Sequence, residues 1–398
     1  MNIHLASKKV VDMSEERECI QDYLLNERGI ILMARVDAFN QGKLNKDDEF
    51  YTRYEDIQAE LNYYEKFFAG KTVLCNCDDP YESSFCKFFL KNFNYLKLKR
   101  LICTSYAESP VIGQQMTIYD YLGEPVVAGN GYVMDISEVP MANGRGVSDD
   151  DIEKLLHSKK RGVKKLKGNG DFRSDECIEY LKQADIVCTN PPFSLFREYV
   201  NQLMTYEKSF LIIGRETSIT LKEPFDYIIN NRAWYGYTHA KEFMRPDGTI
   251  QSFGNVVWYT NIDVAKRHEE LILYKSYSPE AYKSYYNYDG IDVKTVAEIP
   301  KDYYGNMGVP LSFLFNWNPE QFELIGLGQS VPKKILHKTA GDEIHFIDAI
   351  TGEIVYCVPY TVPERKRGNQ LRIDNDGKPG QVPFGRLIIR KKGNNHEN

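Results

Sequence analysis

Apolar positions fall into short runs separated by polar turns, and between residues 50 and 265 the runs alternate in kind. Residues 72–75 form a compact apolar run bounded by Gly70 and the turn Asp78-Asp79-Pro80. Residues 83–93 follow, with Phe85, Phe88, Phe89 and Phe93 at helical spacing. Residues 101–104 read as the next strand, and 178–183 as the end of a helix. A strand at 185–189, a helix at 196–204 and strands at 210–214 and 254–260 complete the series. Strands alternating with helices predict βαβ units and a mainly parallel sheet. Such sheets bind ligands at the carboxyl ends of their strands, so the residues after each run are where chemistry is to be sought.

The flanks differ. In residues 1–40 Ser14, Glu15 and Glu16 mark a helix start running to Asn26, and GIILMARVDAF at 29–39 reads as a short buried segment. Residues 43–49 are polar and read as a loop. Past residue 265 come six tyrosines within 274–288, short strands at 343–349 and 353–358, and a basic tail rich in Gly and Pro. The pattern predicts an N-terminal extension at 1–40, an α/β core at 41–265 and a β-rich region at 266–398.

Composition narrows the function. The 398 residues carry net charge −6, with 27% charged and 42% hydrophobic, as in an ordinary soluble protein. The apolar runs at 30–34 and 210–213 are far below the roughly 18 residues of a membrane span. The N-terminus is too polar for a secretory signal, so a cytoplasmic location away from membranes is expected. Eight cysteines are scattered, the closest pair being Cys75-x-Cys77, and are expected to be reduced. Seven histidines form no zinc-type spacing, and no metal site is predicted. Phosphate-loop and Gly-x-Gly-x-x-Gly patterns do not occur. The acidic average hides two basic stretches. Residues 159–167 hold six Lys/Arg in nine positions, and 363–392 hold nine against three acids. Lys159, Lys160, Lys164, Arg365, Lys366, Arg367 and Arg372 are candidate phosphate contacts.

The sharpest motif is Asn190-Pro191-Pro192-Phe193, directly after the strand at 185–189. At residue frequencies near 5%, a chance match to Asn-Pro-Pro-aromatic falls below about 1% for such a chain. An exocyclic amine such as adenine N6 delocalises its lone pair into the ring and is a poor nucleophile. Two acceptors on its hydrogens localise that pair: the Asn190 side-chain oxygen, and the Pro191 carbonyl held rigid by two fixed φ angles. Phe193 offers a ring for stacking. The positive charge that moves from a sulfonium methyl donor onto nitrogen is stabilised by the same acceptors. A second signal is Gly170-Asp171-Phe172, an acid for an adenine amine beside a ring for its face, although Gly-Asp is also common turn chemistry. A third is DDEFYT at 47–52, also readable as a helix start.

Together these residues resemble the EcoRI-type adenine-specific DNA methyltransferases. The resemblance runs through DEFYTRYEDI at 48–57, VLCNCDDP at 73–80, GNGDFRS at 168–174 and TNPPFSLF at 189–196. It continues through FGNVVWYTN at 253–261 and MGVPLSFLFNWNPEQFELIG at 307–326, covering about 45–330. It implies a Rossmann-like α/β fold: a seven-stranded methyltransferase sheet with a reversed hairpin at one edge, and an appended β-rich target-recognition region. It implies S-adenosylmethionine as donor, duplex DNA as substrate and N6-methyladenine as product, within a restriction–modification system or as an orphan methylase. Phe50, Tyr51 and Thr52 would line the methionine end of the donor, Asn76, Asp78 and Asp79 would contact it, and Asp171 and Phe172 would hold its adenine. Asn190, Pro191, Pro192 and Phe193 would hold a target adenine flipped out of the duplex. A separate endonuclease for the same site is the implied partner, and a monomer would suffice. The chain departs from the wider methyltransferase pattern in lacking a glycine-rich loop after the first strand, and no acid directly follows the second. Two other readings stand beside this one: a methyltransferase of another planar amine, in RNA or protein glutamine, and a DNA-binding protein that keeps the fold without activity.

Overall fold

The computed structural model describes residues 51–80, 83–106, 130–140, 147–156, 163–244, 249–252, 255–285, 287–330, 335–340, 343–348, 354–359, 371–375, 378–382 and 385–393. The features expected at 14–26, 29–39 and 43–49 lie outside these residues.

The elements run β1 (Tyr51–Thr52), α1 (Tyr54–Leu61), β2 (Thr72–Cys75), α2 (Ser84–Asn92), β3 (Arg100–Ser105), β4 (Tyr132–Ile136), α3 (Asp149–Leu156) and β5 (Val163–Lys165). They continue with α4 (Asp175–Gln183), β6 (Ile186–Thr189), α5 (Phe196–Thr205), β7 (Ser209–Arg215), α6 (Lys222–Ile229), β8 (Trp234–His239), β9 (Glu242–Met244), β10 (Ile250–Ser252) and β11 (Val256–Thr260). Eight of these strands form one sheet in the order β5-β4-β3-β2-β6-β7-β11-β8. The central four, β3-β2-β6-β7, are parallel. At one edge β11 inserts antiparallel between β7 and β8, which is the expected reversed hairpin. At the other edge β4 and β5 are both antiparallel additions. The sheet is therefore mixed rather than mainly parallel, and has eight strands where seven were expected. The basic stretch at 163–165 reads as charge in sequence, yet its backbone pairs with β4.

The central strands are buried on both faces, so they read as continuous apolar runs. Leu74, Ile102, Val187, Phe210, Ile212 and Val257 share one core with Leu181 of α4 and Tyr199 and Leu203 of α5. Alternate residues face the other layer, where the Phe85 ring of α2 meets Trp258 edge-on at 5.8 Å. Two serines start helices as caps. Ser83 accepts from Phe85 N–H and Cys86 N–H, and Ser174 accepts from Cys177 N–H. Because α2 lies on the sheet, Cys86 and Cys103 lie side by side, with Cα atoms 6.7 Å apart.

The second region begins with β12 (Ile291–Asp292), β13 (Asn306–Pro310) and β14 (Phe322–Leu327). Then come β15 (Ile335–Ala340), β16 (Glu343–Asp348), β17 (Ile354–Pro359), β18 (Arg372–Asn375), β19 (Lys378–Gln381) and β20 (Arg386–Lys391). The strands expected at 343–349 and 353–358 correspond to β16 and β17, in a three-stranded meander. The basic tail is not wholly surface. β20 lies between β13 and β14, with Leu387, Ile388 and Ile389 fully buried. Near residue 265 the sheet changes but the core does not: Met307, Val309, Phe313 and Phe322 belong to the same cluster as Leu74 and Phe210. No helix among the described residues is long and apolar enough to cross a membrane.

Candidate active site

The parallel strands β2, β3, β6 and β7 end at one edge of the sheet, and their following loops converge there. β6 pairs with β2, which sets the loop after Thr189 beside the loop after Cys75. Cys77 N–H donates to Thr189 Oγ1 at 3.2 Å. The Thr189 hydroxyl in turn donates to Asp78, which also accepts from the Asn190 N–H. Asn190 is half-buried and its side-chain oxygen is sheltered from solvent. Pro191 is buried, and Pro192 and Phe193 are half-buried before a short 3-10 turn, Phe193–Leu195, leads into α5. From the end of β7, the Arg215 guanidinium lies 5.5 Å from the Phe193 ring centroid.

The Gly170-Asp171-Phe172 segment arrives at the same edge for a steric reason. Gly170 has φ +79°, and a Cβ there would overlap the Ser105 carbonyl oxygen at the end of β3. Glycine lets the segment lie directly on that strand end. The Asp171 carboxylate is held by the Arg173 guanidinium at 2.7 and 2.9 Å, and Arg173 also reaches Glu198 at 3.0 Å. Phe172 is buried edge-on against Tyr199, with centroids 5.0 Å apart. The Tyr199 hydroxyl donates to the Asn76 side-chain oxygen. Asn76, Asp78, Asn190, Asp171 and Phe172 are thus brought into one connected site. Sequence reading missed Tyr199 and Arg173. Tyr199 sits at helical spacing with Phe196, Val200 and Leu203, so it read as core; Arg173 stood beside Asp171 as an ordinary surface charge.

Asp78, expected to contact the cofactor, is buried. Both its oxygens are engaged, one by the Ser83 hydroxyl at 2.6 Å and the other by Thr189. Burial pushes its carboxyl up to about 7, against the opposing effect of the hydroxyl and amide donors. Burial likewise raises the thiols of Cys75, Cys77 and Cys188 around it.

The remaining expected residues lie on several elements. Thr52 is in β1, which pairs with β9 in a separate small sheet and packs against α2. Tyr51 pairs there with Met244. Asp79 is half-buried, and its carbonyl accepts from Ser83 N–H. Lys164 is exposed on β5 at the far edge of the sheet, opposite Val133. Arg372 is on β18, paired with Gln381. Phe50, Lys159, Lys160, Arg365, Lys366 and Arg367 lie outside the described residues. Arg386, a basic-tail residue, is removed from any surface role by a buried ion pair with Asp292 at 2.9 Å.

The donor set suits a polar organic ligand. Among the described residues, the buried side-chain polar atoms without a hydrogen-bond partner in the protein include Thr52 Oγ1, Asn76 Nδ2 and Ser105 Oγ. Asn76 and Ser105 stand at the ends of adjacent strands. Buried polar groups left without partners are rare, and a ligand is one way to satisfy them.

Comparison with known proteins shows what the chain is similar to. The family model described as adenine-specific methyltransferase EcoRI matches residues 38–392. The chain is 41% identical over 317 residues to the Type II methyltransferase M.EcoRI of Escherichia coli, covering 75% of this chain and 91% of that one. It is 34% identical to M.MpnI of Mycoplasma pneumoniae over 316 residues, covering 72% and 84%. It is also 34% identical to M.MgeORF184P of Mycoplasma genitalium over 311 residues, covering 72% and 85%. No solved structure matches the chain.

Proposed function

The chain belongs to the EcoRI family of adenine-specific methyltransferases, and from that premise we propose how its residues divide the work. Its activity is methylation of adenine in DNA, and its relatives are Type II methyltransferases. Asn190 and the Pro191 carbonyl accept the two N6 hydrogens of the target adenine, and Phe193 stacks on its ring. Arg215 already covers the Phe193 ring from the β7 side, so the base takes the remaining face. The target leaves the duplex because N6 is not reachable while stacked. S-adenosylmethionine supplies an electrophilic methyl group on a sulfonium. Thr52, Asn76 and Ser105 satisfy its polar groups, and Asp171 receives its adenine amine. Phe172, buried against Tyr199, backs that pocket. The donor's positive charge passes to N6 in the transition state, and the fixed acceptors of Asn190 and Pro191 stabilise it there.

The region from 266 to 398 is assigned to target recognition, with a separate endonuclease as partner at the same site. One catalytic site and one recognition region on a chain suffice for a monomer to act in the cytoplasm on chromosomal DNA. The observation that carries the reading is the join between the Asn190 loop and the Asn76–Asp78 loop at the carboxyl edge of adjacent parallel strands. The test uses purified protein, methyl-labelled S-adenosylmethionine and unmethylated genomic DNA, digested to nucleosides. N6-Methyladenine made by the parent and reduced at least about 100-fold in Asn190→Ala is expected. Cofactor binding with no label in DNA would overturn the assignment.

A further inference from the structure

We propose that Asp78 is a positioning residue for the catalytic loop rather than a ligand of the cofactor: its carboxylate clamps Asn190 through the backbone N–H. This deepens the assignment of Asn190 and rests on it.

The clamp is a directed hydrogen-bond network. Ser83 Oγ accepts from Phe85 N–H at 3.0 Å and Cys86 N–H at 3.4 Å, so its proton is free to point away from the helix, at Asp78, 2.6 Å away. Thr189 Oγ1 accepts from Cys77 N–H at 3.2 Å, so its proton points at Asp78 as well. The Asn190 N–H is the third donor. All three donors converge on one carboxylate that is 6% exposed. An ionised carboxylate accepts all of them; a protonated one has an O–H that must itself find an acceptor. Asp78 thereby ties three segments together: the loop after β2, the start of α2, and the junction of β6 with the Asn-Pro-Pro-Phe turn. The carboxylate thereby holds the Asn190 backbone through its N–H.

The groups facing Asp78 make it the one that titrates near neutrality. Asp79 stands next to it in the chain and repels its charge. Cys75 and Cys77 from the β2 end, Cys188 from β6 and Tyr199 from α5 are all pushed upward by burial and stay neutral. Deprotonation of Asp78 therefore completes the clamp, and turnover should rise with pH through about 7.

The experiment compares Asp78→Asn, Thr189→Val and Thr189→Ser in the full chain. Turnover is measured on unmethylated DNA, and S-adenosylmethionine affinity by calorimetry. Asp78→Asn is expected to lower kcat at least about 10-fold, with the cofactor Kd changed less than about 3-fold. Its kcat–pH profile should lose the rise near neutrality. Thr189→Val should lower kcat about 5-fold, since one donor is lost, and Thr189→Ser should restore it. Weakened cofactor binding with kcat retained in Asp78→Asn would overturn the proposal, as would a pH profile identical to the parent's. Should Asp78→Asn fail to fold, the Thr189 pair decides alone: equal kcat in Val and Ser variants refutes the clamp. The parent and Asn190→Ala serve as controls. A parent that makes no N6-methyladenine refutes the assignment of the reaction, a result distinct from failure of the clamp.

Discussion

Two buried aspartates, one in each region of the molecule, are held in opposite ways. In the second region Asp292 meets the guanidinium of Arg386, both side chains 4% exposed, and also accepts from the Tyr285 hydroxyl at 2.7 Å. In the catalytic region Asp78 is just as buried, but hydroxyl and backbone N–H donors hold it in place of a cation. A cation partner compensates a buried charge, and removing either member strands the other in a poorly solvated place. Neutral donors stabilise the charge without locking it, so burial can raise the carboxyl to about 7. The first arrangement suits a scaffold. The second leaves, beside Asn190, a group whose charge changes near neutrality.

The largest test of this contrast is Arg386→Ala. It leaves Asp292 buried without its cation and should cost about 3–5 kcal/mol, read as a lower urea midpoint. A loss below about 1 kcal/mol would show that the pair does not lock the region.

Next comes the pH dependence of stability. The folded carboxyl of Asp78 titrates near 7 and the unfolded one near 3.9, so the folded state binds more protons between those values. This contribution to stability is present at low pH and is lost as pH rises through 7. Acidifying from pH 7 to pH 5 should stabilise the parent, through this group, by about 2 kcal/mol relative to Asp78→Asn. Parallel pH curves for the two would break the comparison. Stability and activity then respond to this one proton in opposite directions.

A smaller effect is expected at a third buried carboxylate. Glu60 of α1 accepts from Tyr237 N–H and Thr238 N–H of β8 at 2.8 and 2.7 Å, and lies where a Cβ on Gly236 would stand. Gly236→Ala should cost about 1–2 kcal/mol by pushing the carboxylate off these amides. The smallest effect belongs to Lys164, exposed at the sheet edge. Lys164→Ala should change stability by less than about 0.5 kcal/mol. If it contacts phosphate, the salt slope of DNA binding should fall by about 1.

Much of the catalytic half was legible along the chain. The run at 72–75 is β2 residue for residue, and 185–189, 196–204 and 210–214 each fall within a residue or two of β6, α5 and β7. These strands are buried on both faces, which writes their positions as apolar runs. The edge strands were not legible. β4 and β5 carry mixed and basic residues, and what makes them strands is pairing with β3 and with one another. The tail was misjudged for a related reason: Leu387, Ile388 and Ile389 are flanked by arginines and lysines, and only their place between β13 and β14 shows them to be core.

What the sequence determined by itself is local. It held the βαβ order, the helix caps and a proline-stiffened Asn-Pro-Pro-Phe turn at the end of a strand, since spacing and fixed φ angles act over a few residues. Tertiary structure decided the partners. Asp78 and Thr189 are 111 residues apart, and Asp292 and Arg386 are 94 apart. Whether an aspartate faces a ligand, a hydroxyl or a guanidinium depends on which strands become neighbours in the sheets. That neighbourhood sets how each buried charge is compensated.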